Sequence, residues 1–320
     1  MKLQTQIPLH KAKNQIDYNS KVLLLGSCFA ENIGAKFEYY KFQSVVNPLG
    51  ILFHPLGIEK LIEYAVLEKQ FQETDVFFQN DLWHCFDSHS SLSALTKEEL
   101  LQNLNSAIAN TKKQILNAIH IVITLGTSWV YRHLETKQIV ANCHKVPQKE
   151  FQKELLSPIE IELSFKRILG LIASVNTTAN VVFTISPVRH IKDGFVENQQ
   201  SKSHLITALH SVLNSLTVDE RESKTYFGSY EIMMDELRDY RYYATDMVHP
   251  NQLAIDYIWE KFASVWITEK AVATMKKVVV VQSGLSHKPF NSSSPEHQKF
   301  KKTLHQKITY LQDEFPFMKF

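Results

Sequence analysis

Three short apolar runs constrain this chain most: Lys21-Val-Leu-Leu-Leu-Gly26, Ala118-Ile-His-Ile-Val-Ile-Thr-Leu125 and Asn180-Val-Val-Phe-Thr-Ile185. Each stops abruptly, at Gly26, at Gly126 and at Ser186-Pro187. A run that is apolar at nearly every position has no face to offer water, so each reads as a strand buried on both sides. The segments between them repeat at helical spacing: Phe29 to Phe37, Lys97 to Leu116, Pro158 to Val175, and Ser203 to Leu216. In the last, Leu205, Leu209, Val212 and Leu216 fall on one face. Strands joined through helices run parallel, because a crossover returns the chain to the same end of the sheet. The expected fold is α/β, a three-layer α/β/α sandwich with a mainly parallel central sheet. Functional groups in such folds gather outside the carboxyl ends of the strands.

Charge narrows the partners. With 35 Lys+Arg against 33 Asp+Glu in 320 residues, the net charge of +2 gives no field that would hold nucleic acid along the surface. No phosphate-cradling glycine loop or dinucleotide fingerprint occurs, so no cofactor is expected. Residues 1–266 read as one α/β domain and residues 267–320 as a basic, mostly helical extension, with nine Lys against four Asp+Glu. Within it Ser283 to Glu296 reads as a linker and Gln298 to Phe315 as a helix packed on the domain, its partner left open. The start, Met1 to Lys13, lacks a secretory apolar stretch, and no later segment is long enough to span a membrane. The cytoplasm is the expected compartment. There Cys28, Cys85 and Cys143 stay reduced, and their odd number argues against a disulfide framework.

Two motifs carry chemistry. Asp246-Met-Val-His249 places a carboxylate three residues before an imidazole, near enough to hold Nδ1 and leave Nε2 as a base. Gly26-Ser27-Cys28-Phe29-Ala30 lies at the turn between the first strand and its helix, where helix-start amides can stabilise an oxyanion or a thiolate. One supplies a nucleophile; the other, 221 residues later, supplies its base.

These segments, with Asn47-Pro-Leu-Gly-Ile51, Thr124 to Tyr131, Val140 to Pro147, Ser186-Pro-Val-Arg-His190 and Asp246 to Pro250, resemble the GSCFA family, and through it the SGNH/GDSL hydrolases. The likeness spans roughly residues 20 to 266. It implies a flavodoxin-like strand order and an acyl-enzyme mechanism. The substrate would be a small acyl ester, thioester or amide, anionic or carbohydrate-linked. Laid on Gly-Asp-Ser, Gly26 matches Gly, Ser27 the Asp and Cys28 the nucleophilic serine, with Ser27 the alternative nucleophile. Asp246 and His249 match the closing Asp-x-x-His. The oxyanion positions fall on Gly50, Gly126 and Ser128, the last where the pattern has Asn. Loss of one such donor costs on the order of 3 kcal/mol in the transition state. Arg189, His190, Asn142 and His144 would contact substrate. An acyltransferase and a non-catalytic acyl or carbohydrate binder remain as alternatives.

Arg189, His190, Lys202, Arg238, Arg241 and Lys145 could form a cationic rim for a carboxylate or phosphate, unless they pair with Asp235, Glu236 and Asp239. His84, Cys85, His89, Cys143 and His144 show no zinc-like spacing, so no metal is expected. Trp129, Tyr131, Tyr240, Tyr242 and Tyr243 line a pocket or fill the core.

Overall fold

The computed structural model describes residues 4–320; Met1–Leu3 of the amino-terminal stretch lie outside it. In chain order the elements are β1 (Lys21–Gly26), α1 (Cys28–Tyr39), β2 (Gln43–Val46), α2 (Pro55–Val66), β3 (Phe77–Gln79), β4 (Leu82–His84) and α3 (Lys97–Asn117). Then come β5 (His120–Leu125), β6 (Trp129–His133), β7 (Ile139–Val140), β8 (Phe151–Leu155), α4 (Pro158–Val175), β9 (Asn180–Ile185) and α5 (Phe195–Ser215). The chain closes with α6 (Val218–Ser223), β10 (Lys224–Phe227), α7 (Ser229–Glu231), α8 (Gln252–Trp266), α9 (Glu269–Ser286) and α10 (Pro295–Glu314).

The three apolar runs are β1, β5 and β9, adjacent in a five-stranded sheet of order β10-β9-β5-β1-β2 whose pairings are all parallel. Counted along the chain, the five strands lie 2-1-3-4-5, the flavodoxin-like order. Their side chains alternate between two cores. Leu23, Leu25, Ile121, Ile123, Val181 and Phe183 face a cluster shared with α2, α3, α4 and α5. Val22, Leu24, Val122 and Val182 face a second, shared with α1 and α8. This is a three-layer α/β/α fold.

The extension completes the second layer. Val278 and Val281 of α9, Leu311 of α10, Phe315 and Met318 belong to that same core, and the Phe315 ring lies 4.9 Å from Tyr18. Helix α9 runs on to Ser286 into the segment read as a linker, leaving a loop over 287–294. Two small antiparallel sheets, β3-β4 and β7-β6-β8, have no counterpart among the elements expected from the sequence. The first turns on Asn80 and Asp81, both at positive φ, which suits a two-residue hairpin.

Two histidines hold this region together as neutral rings. His54 caps α2: its Nδ1 accepts from Gly57 N, leaving Nε2 to donate to Val140 O at 3.2 Å. His144, expected to touch substrate, is 4% exposed, is bonded through Nε2 to Cys85 O at 2.7 Å and packs near Phe77, Phe86 and His84. Asn142 is engaged in the same turn, its Oδ1 accepting His144 N. Asn142 Oδ1 and His144 Nε2 are thus already engaged within the chain. Burial pushes the pKa of each histidine down to about 4. The unfolded chain therefore binds protons that the folded chain refuses between about pH 6.5 and 4, and stability falls on acidification through that window. A tenfold loss of proton affinity on folding corresponds to about 1.4 kcal/mol. Thermal unfolding followed from pH 7.5 to 4.5 should show a falling midpoint, and His54→Gln should flatten the fall.

Candidate active site

The turn after β1 is built on a glycine for a steric reason. Gly26 has φ +132°, and a Cβ there would lie 2.0 Å from Thr124 O. Its N–H donates to Asn47 Oδ1 at 2.8 Å and its carbonyl accepts from Leu52 N at 3.1 Å. Ser27 N donates to Thr124 O. So clamped, the chain enters α1 with Ser27 as N-cap, its Oγ accepting from Phe29 N, and with Cys28 as the first helical residue.

The two candidate nucleophiles differ in access. Ser27 is 1% exposed and engaged as a cap, while Cys28 is partly exposed. The Cys28 thiol lies above the usual thiol range, chiefly because of burial and then because of Glu31. Opposing this are the Lys202 ammonium and then the amides of Phe29 and Cys28 itself. At neutral pH the sulfur rests protonated.

On the far segment the Asp-x-x-His spacing forms a turn rather than a helix. Asp246 Oδ1 accepts the amides of Val248 and His249 at 2.9 and 3.0 Å, and Oδ2 pairs with His249 Nδ1 at 2.7 Å. These bonds hold the Asp246 pKa down at about 2, so the carboxylate is an acceptor and Nδ1 carries the proton. Nε2 is left bare on a side chain 47% exposed. Arg189 N donates to Val248 O at 3.1 Å, tying this loop to the segment that follows β9.

Lys202 joins the parts. It is fully buried in α5, and its Nζ donates to Gly126 O at 2.6 Å and Ser186 O at 2.7 Å, the residues that directly follow β5 and β9. No carboxylate pairs with it among the described residues. Burial lowers its pKa to about 7, against a smaller opposing influence of Cys28. Its charge also acts on His190, which burial, Lys202 and His249 together push down to about 3. His190 is therefore a neutral imidazole, and its Nε2 has no partner among the described residues. A Cβ on Gly126 would lie 3.2 Å from that nitrogen. Lys202 thus belongs beneath the strand ends and not to a solvent-facing rim, a placement that the sequence Ser201-Lys202-Ser203 gives no sign of.

The residues matched to oxyanion donors are engaged elsewhere. Gly50 N donates to Asn47 O at 2.7 Å and Gly126 N to Phe53 O at 2.7 Å. Ser128 is fully buried, with its amide donating to Ser201 Oγ and its hydroxyl bonded to Ser201. Amides already well bonded cannot meet a developing negative charge without breaking those bonds. The least committed amides are those at the start of α1, where Phe29 N makes only a long bond of 3.3 Å to Ser27 Oγ. Elsewhere on the expected rim, Arg241 pairs with Asp239 at 2.8 Å and Lys145 is exposed. Among the described residues no three His, Cys, Asp or Glu side chains converge as metal ligands.

The GSCFA family model matches residues 21–262, three quarters of the chain. The chain belongs to the GSCFA family. The model of the C-terminal domain of GSCFA domain proteins matches residues 280–320, so this family's signature extends past the segment that the motifs cover. No curated protein matches the chain. In family terms the name-giving motif is the glycine-clamped turn that presents Cys28. No helix is long and apolar enough to cross a membrane among the described residues.

Proposed function

We propose that this GSCFA protein is an SGNH-like hydrolase that cleaves an ester, thioester or amide through an acyl group carried on Cys28. The Sγ attacks the carbonyl carbon while its proton passes to Nε2 of His249, whose Nδ1–H is held by Asp246. The oxyanion forms beside the amides of Cys28 and Phe29 at the start of α1. The imidazolium gives its proton to the leaving group as the carbonyl re-forms. Water, deprotonated by His249, then attacks the thioester and releases the acid, and the proton returns to sulfur. Because burial keeps the thiol protonated, the base acts during attack and does not wait on a preformed thiolate.

The observation that carries this reading is a partly exposed cysteine at a helix start, within the influence of the buried Lys202, together with an Asp-held imidazole on the loop that Arg189 ties to the segment after β9. The engaged amides of Gly50, Gly126 and Ser128 favour a second reading, in which the same scaffold binds an acyl ligand without turning it over. Intact-protein mass spectrometry after quenching with p-nitrophenyl butyrate separates them. The hydrolase reading expects one butyryl group on the peptide containing Cys28, and release of p-nitrophenol in excess of protein. Binding without an adduct sinks covalent chemistry, and an adduct kept in Cys28→Ala but lost in Ser27→Ala moves the nucleophile by one residue.

A further inference from the structure

We propose that the cavity next to the His249 loop is the subsite for a carboxylate carried by the substrate's acyl group, with Arg189 as its anchor; this deepens the acyl-enzyme reading and rests on it. The cavity holds about 350 Å³ and lies between the start of α5, the segment 230–237 and the loop 238–243. That volume is at the small end of the range for ligand pockets. Its walls are apolar and aromatic: Phe195, Tyr230, Met233, Leu237, Tyr240 and Tyr243. Two cations open into it, Arg189 and Arg238, and neither has a carboxylate within 4.0 Å among the described residues. The acid on the wall, Asp239, is neutralised by Arg241, whose Nη2 and backbone N–H both donate to it.

Arg189 is held as an anchor would be. Its guanidinium carbon lies 5.5 Å from the Phe195 ring centre and 5.7 Å from that of Tyr243, contacts that fix the group while leaving donors to face the cavity. A guanidinium fork of this kind matches a carboxylate bidentately. The backbone of the same residue ties down the His249 loop through Val248 O, and the next residue, His190, sits against Gly126. Anchor and base are thus set by one short segment, which fixes the distance between a bound carboxylate and the reacting carbonyl. The apolar walls accept methylenes or a ring between the two.

The test uses p-nitrophenyl esters of matched length, glutaryl with a terminal carboxylate and valeryl without. The wild type is expected to favour the glutaryl ester at least about tenfold in kcat/KM, roughly the preference one charge-assisted contact supplies. Arg189→Gln is expected to bring the ratio close to one, mainly through KM for the glutaryl ester, and Arg189→Lys to recover part of it. A ratio near one in the wild type, or one unmoved by Arg189→Gln, overturns the subsite. Calorimetric titration of the intact chain with 3-phenylpropionate and with 3-phenylpropanol gives a readout independent of turnover. Binding of the acid alone, lost in Arg189→Gln, supports the subsite even if neither ester is cleaved, an outcome that would sink only the acyl-enzyme reading. Equal binding of both compounds, or none, counts against the subsite.

Discussion

Cys28→Ala is expected to lower acyl-ester turnover by at least about a thousandfold, to the background of buffer, because the proposed covalent step is carried on that sulfur. Ser27 is not expected to stand in for it, because that hydroxyl is buried and accepts from Phe29 N. Cys28→Ser tests the same point with less change of shape. It keeps the helix-start amides and the His249 base but offers a far less acidic proton, so activity well below wild type but above that of Cys28→Ala is expected. His249→Ala should match Cys28→Ala to within about tenfold, since members of one relay do not act additively. The check is kcat/KM for p-nitrophenyl butyrate across pH 6 to 9, with circular dichroism to show that each variant folds. Full activity in Cys28→Ala would end the case for the sulfur, whereas loss in Cys28→Ala with full activity in His249→Ala would end the case for the dyad.

The sequence made some of this legible and hid the rest for physical reasons. Strands buried on both faces write themselves as unbroken apolar runs, so β1, β5 and β9 could be read directly, and the parallel order followed from the helices between them. The edge strands β2 and β10, Gln43–Val46 and Lys224–Phe227, are mostly only partly covered and leave no such run. The β3-β4 hairpin and the β6–β8 sheet are short and mixed in polarity, and they went unread. Asp246 and His249 were found because their partnership is local. A backbone amide has no signature in sequence; only the fold shows that the Gly50 and Gly126 amides already donate to Asn47 O and Phe53 O. In the carboxyl-terminal extension Ala271, Met275, Val278 and Val281 of α9 and Leu311 of α10 form the stripe that packs into the second core, a pattern that the interspersed lysines obscure in the sequence.

Lys202→Met is expected to have the second large effect, and it reads the link between the scaffold and the sulfur. Two measurements move in directions the geometry fixes. First, the unfolded chain carries Lys202 at its ordinary pKa of 10.5 and the folded chain holds it at about 7, so between those values the unfolded state binds the extra proton. Unfolding free energy of the wild type therefore rises with pH from about 7 toward 10.5 through this residue, and Lys202→Met removes that rise. The difference between wild type and variant should grow in favour of the wild type as pH increases; parallel curves would mean that the lysine is charged in the fold as in water. Second, the ammonium is the strongest influence opposing burial at Cys28. That charge is present only up to about pH 7, so iodoacetamide labelling of Cys28 should be slower in the variant around and below neutral pH, the two proteins converging as pH rises further. A structural role alone would not shift that profile. The variant also leaves Gly126 O and Ser186 O without their shared donor, at a cost of roughly 1–3 kcal/mol for each buried carbonyl. Lys202→Gln, which can still donate to a carbonyl but carries no charge, separates the two effects: restored stability with the labelling profile still shifted would assign the bonds to the fold and the charge to the sulfur.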